Sequence, residues 1–180
     1  MNTILGLDIS SATIGWALLV GSNEDLCLKD YGHISPPKSK KGSLAFRASK
    51  AFEEIEALVK DTSPDIVVIE SYANKFPSGR STARTIIVLS VFNEVCAMAV
   101  LKATGKDPVR IPVVTIRSKL SKFYKQRVSS KEECFDLIEA KFPDFRVREN
   151  RAGNIAKECF DEADAIAVAA AYYIKEFIGE

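Results

Sequence analysis

The chain has 180 residues, of which 47% are hydrophobic and 27% are charged, with a formal net charge of +1. These values are typical of one globular domain spanning residues 1–180, and the net charge neither favours nor excludes a nucleic-acid partner. The first apolar run contains Asp8 and follows no basic region, which argues against a signal peptide, and no uninterrupted apolar run approaches the ~20 residues of a membrane span.

The cysteines and the histidine argue against a zinc site. The sequence has no CxxC spacing, and His33 is its one histidine. Widely spaced cysteines without such partners are typical of reduced core thiols in a cytosolic protein. This prediction covers Cys27, Cys96, Cys134 and Cys159.

The first third of the chain predicts a strand meander followed by a helix. Thr3–Ile9 and Thr13–Val20 are apolar runs separated by small turn residues, and Asp25–His33 is a third such run. Their close spacing indicates antiparallel pairing. A loop rich in Pro, Lys and Gly then leads to Leu44–Lys60, where apolar residues recur at helical intervals.

The rest of the chain alternates strands and helices. Asp65–Glu70 is a continuously apolar run of the kind found in strands buried on both faces of a parallel sheet. A helix is predicted over Ser81–Ala103 and a strand over Val109–Val114. The remaining helices are predicted at Arg117–Tyr124, Lys131–Lys141 and Cys159–Phe177. This order predicts an α/β fold with a mixed sheet flanked by helices.

Two carboxylates stand where apolar strands should be buried. Alternation places Asp8 on the same face of its strand as Ile4, and Glu70 on the same face as Val68. Both strands are apolar enough to be central, and both carboxylates are at or near the strand's carboxyl end, where α/β sheets bind ligands. A buried carboxylate must be paired, protonated or bound to a metal ion.

A further acidic pair lies early in the last predicted helix. Asp161 and Asp164 are three residues apart, so they lie on one side of its first turns. Carboxylates without His or Cys favour Mg²⁺, with Mn²⁺ as a substitute, and two such ions about 3.5–4 Å apart suit phosphodiester hydrolysis. Each acid alone is equally explained as a cap or a strand end, but the coincidence on three elements favours a metal site.

These segments resemble the three acidic motifs of RuvC-type Holliday junction resolvases. The motifs are ILGLDISSATIGWALL, IVVIESYANKF and DEADAIAVA, and the resemblance spans residues 4–173. It implies a ribonuclease H-like fold with a mixed five-stranded sheet, a homodimer, and Mg²⁺-dependent paired nicking of four-way DNA junctions. Asp8, Glu70, Asp161 and Asp164 match the metal-binding acids, and Lys131 resembles the active-site lysine that steadies the scissile phosphate.

The sequence departs from this family at several points. Ile9-Ser10 stands where many members have Pro-Gly, and Ala73 stands where bacterial members have a Phe that acts at the junction centre. Tyr72 and Phe76 are the aromatic residues near that position. These departures indicate a diverged branch of the family, and we expect it to be phage-borne. We expect the protein to act in the cytoplasm, which is the host's cytoplasm if a phage encodes it.

Basic residues are concentrated in three windows without acids. These windows are residues 36–52, 71–93 and 108–131. Such segregation is typical of a surface that follows a phosphate backbone, although one window alone is equally a solvated helix face. The residues predicted to bind DNA are Tyr72, Lys75, Phe76, Arg80, Arg84, Lys119, Lys122, Lys125 and Arg127.

Three other functions remain open. The same site could act on flaps, R-loops or RNA–DNA hybrids, as in other ribonuclease H-like nucleases. The chain could bind junctions without cutting them, although keeping four acids opposes DNA binding. The first motif also resembles the phosphate loop of actin-like sugar and acetate kinases, but the nine glycines include no adjacent pair and no P-loop.

Overall fold

The computed structural model describes residues 1–22, 25–71 and 83–179. Its strands are β1 (Asn2–Ile9), β2 (Ile14–Ser22), β3 (Asp25–Ile34), β4 (Ile66–Ser71) and β5 (Val109–Pro112). Its helices are α1 (Leu44–Thr62), α2 (Ala83–Thr104), α3 (Val113–Tyr124), α4 (Lys131–Lys141) and α5 (Lys157–Tyr173). A 3₁₀ turn at Ser39–Lys41 precedes α1, and a π-helical turn at Ile174–Ile178 follows α5.

The strands form one mixed sheet in the order β3-β2-β1-β4-β5. The first three strands pair antiparallel, whereas β1–β4 and β4–β5 pair parallel. Hence β1 and β4 are both interior strands, and their carboxyl ends lie at the same edge of the sheet. The predicted five-stranded mixed sheet is confirmed.

Alternation along the central strands divides the core into two layers. Leu5 and Leu7 of β1 pack with α1 and α2, whereas Ile4 and Val68 pack with α3, α4 and α5 on the opposite face. The polar residues that follow this second face, at the ends of β1 and β4, therefore point toward α5 and its neighbouring helices.

Several element boundaries and one cysteine differ from the sequence predictions, most clearly around β5, α3 and α5. β5 ends at Pro112, and α3 begins at Val113 rather than Arg117; proline cannot donate to the sheet, and its extended backbone here leads directly into the helix. α5 begins at Lys157 rather than at Cys159. Cys27 is exposed rather than a core thiol, because it lies on an outward position of the edge strand β3.

α2 keeps an apolar outer face. Phe92 and Cys96 are buried against the sheet and α1, whereas Ile87 and Met98 are 59% and 60% exposed. By length and composition, α2 is the one helix in the described part of the chain that could cross a membrane. In this fold it is instead one of the two helices that cover the sheet on that side.

Candidate active site

The strand register brings the first two carboxylates together. β1 and β4 pair parallel with Leu7 opposite Ile69, so the same register carries Asp8 and Glu70 to neighbouring positions on one face. They line a cleft of about 240 Å³ with Asp164 of α5, Arg117 of α3 and Lys131 of α4. The sheet and the helices α3, α4 and α5 therefore meet at this one cleft.

Two glycines let α5 lie unusually close to the sheet. A Cβ atom on Gly15, which pairs with Asp8 across β1 and β2, would lie 2.0 Å from the backbone oxygen of Asp161. A Cβ atom on Gly6 would lie 2.3 Å from the backbone oxygen of Ala165. Both contacts are with helix backbone, which cannot swing aside, so these positions set the distance between the acids of α5 and those of the strands.

A buried ion pair fixes the beginning of α5. Glu162 is 1% exposed and accepts hydrogen bonds from the Arg148 guanidinium at 2.6 and 2.8 Å, and its carboxylate lies 2.8 Å from Nδ1 of His33. These contacts tie α5 to β3 and to the loop before the helix. Because Glu162 lies between Asp161 and Asp164 in sequence, the ion pair also fixes the orientation of the acidic turn.

α4 begins where its capping box sets it. The Ser130 hydroxyl accepts a hydrogen bond from the backbone of Glu133 at 3.1 Å, and the Glu133 carboxylate accepts one from the backbone of Ser130 at 3.3 Å and another from that of Ser129 at 2.6 Å. This reciprocal cap makes Lys131 the first helical residue. Its ammonium group lies 2.7 Å from Oδ2 of Asp164 and 3.8 Å from Oδ1 of Asp161.

Asp161 lies at the margin of the cleft rather than among the residues that line it. It hydrogen-bonds to the Thr13 side chain of the β1–β2 turn, and its pKa is raised by burial while Lys131 opposes that shift. Since α5 begins two residues earlier than predicted, Asp161 and Asp164 lie one full turn into the helix rather than in its first turn. The structure still brings both to the end of β1.

The carboxylates carry more negative charge than the cleft can neutralise. Burial, then the charges of Asp164 and Glu70, raises the pKa of Asp8 well above its usual range. Burial and then Asp164 raise the pKa of Glu70 to about 7, although Arg117 and Lys131 lower it. Burial also raises the pKa of Asp164. Cation binding would relieve this repulsion.

The same acids raise the pKa of Lys131. Loss of solvation alone would lower its pKa, but Asp164 and then Asp8 outweigh this effect, so the pKa is raised and the ammonium stays charged. Its side chain is 44% exposed, so it is free to leave Asp164 for solvent or a ligand.

The donor set fits hard divalent cations. Within the described ranges, no three Asp, Glu, His or Cys side chains are already close enough to share an ion. The carboxylates nevertheless present only oxygen donors, and they converge from three elements in a partly solvated cleft. Oxygen ligands with unneutralised charge are typical of Mg²⁺ and Mn²⁺ sites.

The raised pKa of Glu70 predicts a pH-dependent penalty in metal-free protein. A carboxyl group whose folded-state pKa is raised favours folding fully below its unfolded pKa of about 4.5, and this contribution is lost as pH rises through about 7. We expect Glu70→Gln, compared with wild type by urea unfolding in EDTA, to become relatively more stable between pH 5 and 8. The expected gain is up to about 3 kcal/mol, since one pKa unit corresponds to about 1.4 kcal/mol. A constant difference across this range would contradict the assigned environment of Glu70.

The predicted DNA-binding residues are distributed differently. Tyr72, Lys75, Phe76 and Arg80 lie outside the described residues, as does Ala73. Arg84, Lys122, Lys125 and Arg127 are exposed and Lys119 is partly buried, but none of these five lines the acidic cleft. Their role in DNA binding stays a prediction.

Sequence reasoning missed three side chains that shape the site. Arg117 was visible as a member of a basic window, and its guanidinium, held 2.9 Å from the backbone oxygen of Ser129, lies in the cleft. Thr13 and Glu162 gave no signal, because their partners are brought together only by the fold.

Several solved structures of Holliday junction resolvases have a similar architecture. Thermus thermophilus RuvC in complex with a Holliday junction substrate aligns with a TM-score of 0.74 and 12% identity, over 99% of this chain and 97% of that one. The yeast mitochondrial Holliday junction resolvase Ydc2 aligns with a TM-score of 0.63 and 12% identity, over 95% and 77%. Fowlpox virus resolvase with its junction DNA aligns with a TM-score of 0.50 and 13% identity, over 96% and 97%.

These alignments show that the chain has the RuvC-like form of the ribonuclease H-like fold. No family model matches the sequence, and no curated protein matches it significantly. At such low identity the likeness concerns the fold, so the chemistry has to be argued from the cleft itself.

Proposed function

We propose that this protein is a metal-dependent endonuclease that resolves four-way DNA junctions by paired nicking. The observation that carries the proposal is the convergence of Asp8, Glu70 and Asp164 with Lys131 at the carboxyl ends of β1 and β4. A cluster of buried acids whose pKa values are raised by burial and mutual repulsion is costly for stability, which favours a functional role over a structural one.

Asp8, Glu70, Asp161 and Asp164 would hold Mg²⁺ or Mn²⁺, two ions per site. When bound, such ions activate a water molecule and stabilise the leaving oxygen of a phosphodiester. The chain's own contribution is to hold these carboxylates on rigid strands and a clamped helix, at separations that the glycine contacts with α5 maintain.

The two cations of the cleft would act on the DNA. Lys131, which pairs with Asp164 in this structure, would contact a non-bridging oxygen of the scissile phosphate. Arg117, anchored to the backbone of Ser129, offers a second positive charge from the opposite helix. Fixed cations aimed at the phosphoryl oxygens stabilise charge that develops in the transition state.

Paired nicking needs two such sites, which we assign to a homodimer. The outer face of α2 carries a stripe of exposed apolar residues, Ile87, Met98 and Leu101, which Glu94 interrupts. A stripe of this kind on a charged protein is typical of a surface that another protein covers. A second copy of the chain would cover this face of α2. It would also supply the second active site that symmetric cutting of a four-way junction requires.

The runner-up function keeps the site and changes the substrate to flaps, R-loops or RNA–DNA hybrids. A panel of labelled four-way junction, flap, hybrid and linear duplex, each incubated with Mg²⁺ and with EDTA, separates the two. We expect metal-dependent cutting restricted to the four-way junction. Cutting that is equally fast on flaps or hybrids would replace the junction by that substrate, and binding without any cutting would favour a junction-binding protein.

A further inference from the structure

A second groove lies near the acidic cleft. It has a volume of about 810 Å³ and lies between the β1–β2 turn and the segment that joins β3 to α1. Thr13, Ser35, Ser39, Lys38, Lys40 and Arg47 are among the residues that line it. The Thr13 side chain lies beside Asp161, at the margin of the acidic cleft, so the groove is adjacent to the acidic site.

The groove is held open by a buried arginine. Arg47 is 9% exposed, and its guanidinium donates to the backbone oxygen of Ser11 at 2.5 Å and to that of Pro37 at 2.6 Å. It also lies 5.3 Å from the centre of the Phe92 ring. Arg47 therefore joins the turn that follows Asp8 to the lysine-bearing segment, so the two walls keep a fixed relation to the active site.

Lys38 and Lys40 line the groove, and Lys41 follows them on the same 3₁₀ turn. None of the three lysines forms an ion pair within the described residues. A hydrogen bond from the backbone N–H of Lys41 to the backbone oxygen of Lys38, at 2.8 Å, closes the turn. Lys50, in contrast, is paired with Glu53 at 2.5 Å. Three unpaired cations on an ordered turn favour an anionic partner.

The acids near the groove do not cancel this charge. Glu158 is the acidic residue among those that line it, and it belongs to α5, one helical turn before Asp161. It thus belongs to the helix that carries Asp161 and Asp164, whereas the lysines belong to the segment between β3 and α1. Serine hydroxyls and lysine ammonium groups without aromatic side chains are typical of contacts to phosphate and sugar rather than to bases.

We propose that this groove binds the phosphate backbone of the DNA strand that continues from the scissile phosphate in the acidic cleft. The inference rests on the proposed nuclease function and gives it a strand path: across the β1–β2 turn and along Lys38, Lys40 and Lys41. These residues position the junction arm, whereas the acids and Lys131 act at the reacting phosphate. The basic segment before α1 thereby has a function that the acidic motifs alone do not assign to it.

The test is the salt dependence of junction binding by Lys38→Ala/Lys40→Ala/Lys41→Ala, measured in EDTA so that no cleavage intervenes. Each lost phosphate contact lowers the slope of log K against log salt by about 0.9, so we expect a decrease of about 2 to 3 and roughly tenfold weaker binding. The matched control is Lys29→Ala/Lys106→Ala/Lys141→Ala, three exposed lysines that do not line the groove, which removes the same charge. Thermal unfolding verifies that both variants are folded.

The outcomes separate this inference from the proposed function. A selective decrease in slope and affinity for the groove variant supports the strand path. Equal slopes for the groove variant and wild type, or equal losses in the groove and control variants, overturn it even where wild-type protein cuts junctions in Mg²⁺. A wild-type protein that neither binds nor cuts branched DNA would instead overturn the nuclease function on which the inference rests.

Discussion

Replacing Asp8 by Asn is expected to slow phosphodiester cleavage by about 10³-fold or more while leaving the fold and junction binding intact. Asp8 is the acid most strongly affected by burial and by neighbouring carboxylates, and it lies between Glu70 and the acids of α5. Asparagine keeps the shape but removes the charge that would hold the cation. Several kcal/mol of transition-state stabilisation would be lost, at about 1.4 kcal/mol for each factor of ten.

The measurement is single-turnover cleavage of a labelled junction, with affinity determined separately in EDTA. Asp136→Asn is the matched control, since Asp136 is an exposed acid of α4 outside the cleft; we expect wild-type rates from it. In metal-free buffer above pH 7, Asp8→Asn should also unfold at a higher temperature than wild type, because a repelled buried charge is gone. Wild-type cleavage by Asp8→Asn would show that the site is assigned wrongly.

Replacing Gly15 by Ala is expected to damage both the fold and the site. Its new Cβ atom would fall 2.0 Å from the backbone oxygen of Asp161, so α5 would have to move away from the sheet. This steric clash with the backbone of α5 is expected to lower the free energy of unfolding by about 3 kcal/mol or more. In molecules that stay folded, a shift of about 1 Å in Asp161 and Asp164 would slow cleavage by about 10²-fold.

Gly32→Ala is the comparison for this variant. Its Cβ atom would meet the side chain of Trp16 at 3.0 Å, and a partly buried side chain can rotate where a helix backbone cannot. Urea unfolding and single-turnover cleavage of both variants are the measurements. If Gly15→Ala were as stable and active as Gly32→Ala, the close approach of α5 to β2 would not be what places the acidic turn.

The parts of the fold that follow from local pattern were predictable from sequence. Continuous apolar runs gave β1 and β4, alternation gave the faces of Asp8 and Glu70, and helical spacing gave α1 and α2. The structural comparison confirms the expected RuvC-like fold. A carboxylate inside an apolar strand is an energetic anomaly, and such anomalies are visible without any knowledge of tertiary contacts.

What sequence could not supply depends on contacts between distant residues. Arg148 and His33 reach Glu162 across 14 and 129 residues of chain, and Arg47 reaches Ser11 across 36. None of these pairs has a periodic or spacing signal. Helix α5 begins earlier than predicted because its first turn is set by the preceding loop, with Ala156 as an N-cap that makes no side-chain cap. An N-cap residue such as alanine, whose side chain forms no capping hydrogen bond, cannot be recognised from the sequence.

The most direct test of the central claim is the product formed by wild-type protein from a supercoiled plasmid that extrudes a cruciform, in Mg²⁺ and in EDTA. Two nicks made within the lifetime of one complex give a linear plasmid, whereas independent single nicks give a relaxed circle. We predict that linear product appears directly in Mg²⁺ and is absent in EDTA. Relaxed circles alone, or cutting that persists in EDTA, would contradict a metal-dependent enzyme that resolves four-way junctions by paired nicking.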